Sequence, residues 1–160
     1  MEAGPFERSP VQGVLVLLIG TALYTVLLPQ AIALGAALQT PGLLTSLIGD
    51  PHVRFWVWDQ LLHTLSVLLT SLPFAWVLSR LYTKRLLPAA LLLVTPTVIW
   101  MALDYLSLRQ EIPDAPATVN VFYALDALKI VLILPLLGLL LRPRATRASR
   151  PVPGPAGGRR

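Results

Sequence analysis

Four polar side chains in the stretch 53–78, Asp59, His63, Ser66 and Thr70, recur at spacings of four, three and four. On an α-helix such spacings bring all of them to one face, because residues three and four apart are neighbours. A second stretch, 119–141, carries Asn120, Tyr123, Asp126 and Lys129, and Asp126 and Lys129 are three apart and able to pair along a helix. A carboxylate, an imidazole and an amino group on neighbouring helices can move protons or hold a cation, since imidazole titrates near neutrality. The same groups also act as hydrogen-bonding glue between helices in an apolar medium. Residue type and spacing leave both roles open.

Other chemistry is excluded by what the chain lacks. It has no cysteine, which removes disulfides, thiolate metal sites, cysteine nucleophiles and iron–sulfur clusters. Its two histidines are His52 and His63, too few for a multi-histidine metal centre in one copy. Haem held by two histidines needs them at matching depth on different helices, and His52 precedes the 53–78 stretch at its rim. Met101 is the other candidate sulfur ligand, and it is poorly placed for an axial role. A dimer sharing two copies of His63 is the haem arrangement that remains. No cofactor and no metal are therefore expected. A phosphate-binding loop, a nucleophile elbow, a His-Glu-x-x-His helix motif and a dinucleotide fingerprint are all missing, so no catalytic residue is assigned.

The elements that must position these residues follow from composition. The 160-residue chain is 55% hydrophobic and 13% charged, against about 25% charged in a soluble domain. Its mean hydropathy is +0.69. An ordinary soluble domain, a disordered chain and a secreted disulfide scaffold are excluded. So is nucleic acid as a partner, because the +5 net charge gathers largely in the terminal 142–160 stretch. A membrane-spanning helix needs about 20 mostly apolar residues, and four stretches qualify: 11–34, 53–78, 86–106 and 119–141. Thr40-Pro41-Gly42 with Asp50-Pro51, the basic 80–85 stretch and the 113–116 stretch separate them. Strand alternation is absent, and only helices or closed barrels cross lipid. The fold class is an all-α membrane protein, a four-transmembrane-helix bundle.

Orientation follows from Lys and Arg near the helix ends. Arg80, Lys84 and Arg85 lie in one connection, and Arg142, Arg144, Arg147, Arg150, Arg159 and Arg160 follow the last span. The other two connections hold Arg54 and Arg109 beside Asp50, Asp104, Glu111 and Asp114. Both termini and the 80–85 connection are thus expected in the cytoplasm, with Arg8 on the same side. The bilayer is expected to be a bacterial-type cytoplasmic (inner) membrane. Residues 1–10 read as a short cytoplasmic N-terminus, and 142–160 as a disordered basic tail able to touch anionic lipids. A cleavable signal peptide fits poorly, because 1–10 carries Glu2 and Glu7 and the apolar run exceeds a usual signal core. Ala31, Ala33, Gly35 and Ala37 are the residues a cleavage site would use.

Depth links the two polar sets. The second and fourth spans run inward from the same surface, so Asp59 and Asp126 lie roughly 10 Å down and His63 and Lys129 about 15 Å down. Asp59, His63, Asp126 and Lys129 are the expected intramembrane polar cluster, with Asp104 and Gln30 as further members. Trp56, Trp58, Trp100, Tyr105 and Tyr123 at one level, and Trp76 and Tyr82 at the other, suit the interfacial belts. Every span holds a proline (Pro29, Pro73, Pro96, Pro135), each expected to kink its helix. The leading expectation is a non-enzymatic bundle that self-assembles or serves as an accessory subunit of a membrane complex. Its partners would be the lipid bilayer and other membrane-protein subunits or itself. A small proton- or cation-coupled transporter is the alternative, and an intramembrane enzyme or haem subunit the third.

Overall fold

A computed structural model describes residues 10–113 and 116–142. Among these the chain is all helix: α1 (Pro10–Ala36), α2 (Gly42–Leu47), α3 (Pro51–Leu81), α4 (Leu86–Glu111) and α5 (Ala117–Leu140). The four long helices are each long and apolar enough to cross a membrane. They overrun the stretches expected from hydropathy, α3 and α4 most of all. At 1.5 Å per residue the 31 residues of α3 reach about 46 Å, beyond the roughly 30 Å that hydrocarbon demands. Polar residues at its ends therefore extend the helix instead of stopping it.

Local chemistry sets the boundaries. Asp50 caps α3, its carboxylate accepting from the backbone N–H of His52 at 2.8 Å and of Val53 at 3.2 Å. Pro51 supplies the first helical residue, where a missing N–H is harmless. Pro29, Pro73, Pro96 and Pro135 lie inside their helices, none of which ends at its proline. The short α2 interrupts what reads in the sequence as plain connection. It has no buried residue and is held by turn bonds, Ser46 Oγ donating to the Leu43 carbonyl at 2.8 Å. The Trp58 indole N–H, donating to the Leu38 carbonyl at 3.2 Å, ties this connection to α3.

The long helices pack in the cyclic order α1, α3, α5, α4. Consecutive α3 and α4 consequently face each other across the bundle rather than along an edge, and α1 and α5 stand across the wider diagonal. The core fills one half of the bundle, the half that contains the 82–85 connection. Tyr24, Val67, Ala75, Leu78, Leu93 and Leu134 are buried there. The Tyr24 and Phe74 rings meet edge to face at 5.3 Å. Gly138 lets α5 approach the end of α4, because a Cβ at that position would meet Leu86 Cδ1 at 3.2 Å. The Tyr82 hydroxyl donates to the Gly13 carbonyl, joining the end of α3 to the first turns of α1. Outside, the bundle is greasy: Leu18 is 63% exposed and Leu140 80%. Such a surface suits lipid rather than water.

Two hydroxyl pairs cross the core, Tyr24 with Ser71 at 3.0 Å and Thr25 with Thr97 at 3.3 Å. Interhelical bonds in membrane proteins contribute on average about 0.6 kcal/mol and up to about 1.7 kcal/mol. Tyr24→Phe removes one while keeping the ring against Phe74. Unfolding in mixed micelles should register a loss near the upper value, since Ser71 is fully buried and would keep no partner. A variant as stable as the parent would show that this pair contributes nothing.

Candidate functional site

The opposite half of the bundle encloses a cavity of about 730 Å³, walled by all four long helices where α1 and α4 end and α3 and α5 begin. Much of its wall is aromatic and aliphatic, including Trp56, Trp100, Met101 and Phe122. Trp56 and Phe122 stack nearly parallel, 4.1 Å between ring centres and 5° between planes. Trp56, Trp100 and Tyr123, which the sequence assigns to an interfacial belt, thus also line the cavity.

The polar residues converge on one wall. His63, 8% exposed, directs Nδ1 toward Asp126 Oδ1 at 3.2 Å. The approach lies within ion-pair range but off hydrogen-bond alignment, so Nδ1 is buried without a hydrogen bond. The same Asp126 oxygen accepts from Lys129 Nζ at 3.0 Å. Lys129 also donates to Gln60 Oε1 of α3, which leaves Gln60 Nε2 buried with no acceptor. One carboxylate oxygen therefore sits between an imidazole and an ammonium, and an amide closes the set across the α3–α5 seam. A proton on His63 and the charge on Lys129 would both be balanced at Asp126, so a change at one is felt at the other.

The remaining residues of the expected cluster divide. Asp59 lines the cavity one turn above His63 and makes no hydrogen bond or ion pair among the described residues. Asp104 lines it from α4 and accepts from the Tyr123 hydroxyl at 2.9 Å. Gln30 does not join them: it is exposed on α1, outside the cavity lining. Ser66 turns to α1, donating to the Ala31 carbonyl at 3.2 Å beside Gly35, and Thr70 is half-buried. Asn120 belongs to a separate network, taking bonds from Tyr105 at 2.8 Å and from Arg109, that ties α4 to α5. Gln60 is absent from the face drawn by spacing because it lies next to Asp59, about 100° around the helix. Only the length of the Lys129 side chain hinted at a partner on another helix.

His52 and His63 lie on the same helix α3, about 16 Å apart along its axis, and cannot clamp one haem from two sides. Among the described residues no three of His, Cys, Asp and Glu converge as metal ligands. Arg142 donates to the Thr83 carbonyl, fastening the end of α5 to the 82–85 connection. Arg8, Asp114, the arginines beyond Arg142, and with them the expected disordered tail, lie outside the described residues. Comparison with known protein families, curated proteins and solved structures finds no match to the chain.

Proposed function

We propose that the chain is a multi-pass membrane protein that works as a small proton- or cation-coupled transporter, with the cavity as its working site. The carrying observation is that His63 and Asp126, paired across the α3–α5 seam, also line a cavity. Intramembrane ionisable groups mark ion and substrate pathways when they face an interior space. The polar stripe of α3 finds partners within the chain, for Ser66 on α1 and for His63 on α5. The proposed orientation puts the cavity toward the outside and the packed half toward the cytoplasm. Arg80, Lys84, Arg85 and Arg142 gather at the packed end, in agreement with the positive-inside rule.

Self-assembly or an accessory role is a second reading, favoured by Gln30. Its amide is exposed on α1 between the exposed Leu27 and Leu34. A polar side chain on an apolar surface is satisfied by another helix, and the two readings combine in an oligomeric transporter. Cysteine crosslinking at position 30 in native membranes should then give a dimer band or a mixed product, whereas monomer alone ends this reading.

Topology is checked by reporter fusions placed in the 112–116 connection and after Arg142, which should report opposite compartments. Transport is checked in liposomes holding the purified chain and a pH-sensitive dye. An imposed sodium, potassium or organic-ammonium gradient should drive proton movement above that of protein-free vesicles. Traces no larger than those of protein-free vesicles with all three ions would end the transport reading.

A further inference from the structure

We infer that the cavity is a binding site for a lipophilic amine: a protonated amino group held at the α3 wall with its apolar body along the aromatic walls. The inference rests on the reading of this cavity as the working site and specifies what occupies it.

Charge comes first. Asp59, Asp104 and Asp126 line the cavity, whereas Lys129 does not and is turned to Asp126 and Gln60. Asp126 is already matched by Lys129, and Asp104 takes the Tyr123 hydroxyl. Asp59 is left as a carboxylate without a partner among the described residues, so the unmatched charge at this wall is negative. An anion would meet repulsion there and a cation a counter-ion.

Buried polar atoms form the second, independent observation. His63 Nδ1 and Gln60 Nε2 belong to cavity-lining residues, are buried, and have no hydrogen-bond partner among the described residues. Of the two, the nitrogen of a neutral His63 ring can accept from an ammonium, whereas the Gln60 amide N–H is a donor and cannot. Native proteins seldom leave such atoms unpaired, and a specific unpaired group calls for an occupant. His63 Nδ1 and Asp59 lie within five residues of one helix, so the two acceptors describe a single polar patch.

Size and wall chemistry then choose between a bare ion and an organic one. A hard cation such as calcium or magnesium takes six or more oxygen ligands at close range, and a cavity of about 730 Å³ walled by Trp56, Trp100, Met101 and Phe122 offers few. No three of His, Cys, Asp and Glu converge for another metal among the described residues. The same walls suit an apolar body, and tryptophan faces attract organic cations. Small-molecule sites usually combine a mostly apolar cavity of this size with a few convergent polar groups.

Three probes of matched shape test the inference: 4-phenylbutylamine, its neutral analogue 4-phenylbutan-1-ol and its anionic analogue 4-phenylbutyrate. Each is titrated by calorimetry into the full chain in dodecyl maltoside micelles. The amine should bind saturably, with the alcohol at least about tenfold weaker for want of a charge-assisted contact, and the carboxylate not at all. Asp59→Asn should remove the preference of amine over alcohol while leaving alcohol binding in place. Equal binding of amine and alcohol by the parent chain overturns the inference without any variant, as does a preference for the carboxylate. Undiminished amine preference in a folded Asp59→Asn protein overturns it too. Amino groups also come on lipids, so phosphatidylethanolamine is added in a separate arm. Competition from it supports the site and identifies the amine as a lipid headgroup, while no competition assigns it to a free amine. Amine binding without any cation-driven proton movement in vesicles upholds the inference and ends the transport reading. Proton movement without amine selectivity does the reverse.

Discussion

Lys129→Leu should destabilise the protein by about 3 kcal/mol, the lower end of what stranding one member of a buried ion pair costs, because this pair is part-buried. Asp126 would lose its 3.0 Å ammonium contact and Gln60 the only hydrogen bond of its side chain among the described residues. Replacing both charges by leucine is expected from sequence reasoning alone to be close to neutral. The geometry predicts otherwise, because the double variant still leaves the Gln60 amide buried and wholly unpaired. It should therefore fall short of the parent by about 1–3 kcal/mol. Adding Gln60→Leu should recover most of that difference. Chemical unfolding of the single, double and triple variants in one detergent supplies the test. A double variant equal to the parent would show that Gln60 has no part in the network. A double variant no better than its singles would show that Asp126 and Lys129 are not coupled.

His63→Gln should leave a folded protein in which cation-driven proton movement falls by about 10²-fold, the lower end of what a positioned acid–base group contributes. Glutamine keeps a polar side chain of comparable reach against Asp126 but cannot take up a proton near neutrality. Ser66→Ala is the matched control. It removes an interhelical bond to Ala31 one turn away without touching a titratable group, so its flux should stay near that of the parent. Proton flux in proteoliposomes, normalised to folded protein by size exclusion, makes the comparison. Unchanged flux in His63→Gln would remove the imidazole from the mechanism.

The spans were legible because each is a long apolar run punctuated by proline or charge, and hydropathy over about 20 residues answers to one physical requirement. The placement of His63 beside Asp126 was approachable for a similar reason. Two helices running in the same direction from one surface put residues at calculable depths, and α3 and α5 do so. Direction around each axis was harder. Gln30 sits at a depth that suits the cluster, yet α1 turns it outward while Tyr24 and Leu28 face the core. Periodicity cannot orient α1 because apolar residues surround it on all sides. Neither could the cyclic order of the helices be read, since the short 82–85 connection allows α3 and α4 to sit side by side or across the bundle. Gln60 was hidden by its neighbour: Asp59 carries the charge that draws the eye, while the amide beside it holds Lys129.

Mechanical advantage follows from the uneven filling of the bundle. Tyr82 on Gly13, Gly138 against Leu86 and Arg142 on Thr83 all fasten the same end, which makes that end a fulcrum and the helices its levers. About 20 residues separate it from the far rim, or roughly 30 Å of stiff helix. A tilt of about 10° at the fastened end therefore sweeps the far rim through about 5 Å, nearly the width of one helix turn. A tilt of that kind would be spread thinly over the fastened contacts, each shifting by a fraction of an ångström. Substitutions near Leu86 or Gly13, remote from any charge, should accordingly alter how fast the far end opens before they alter what it holds.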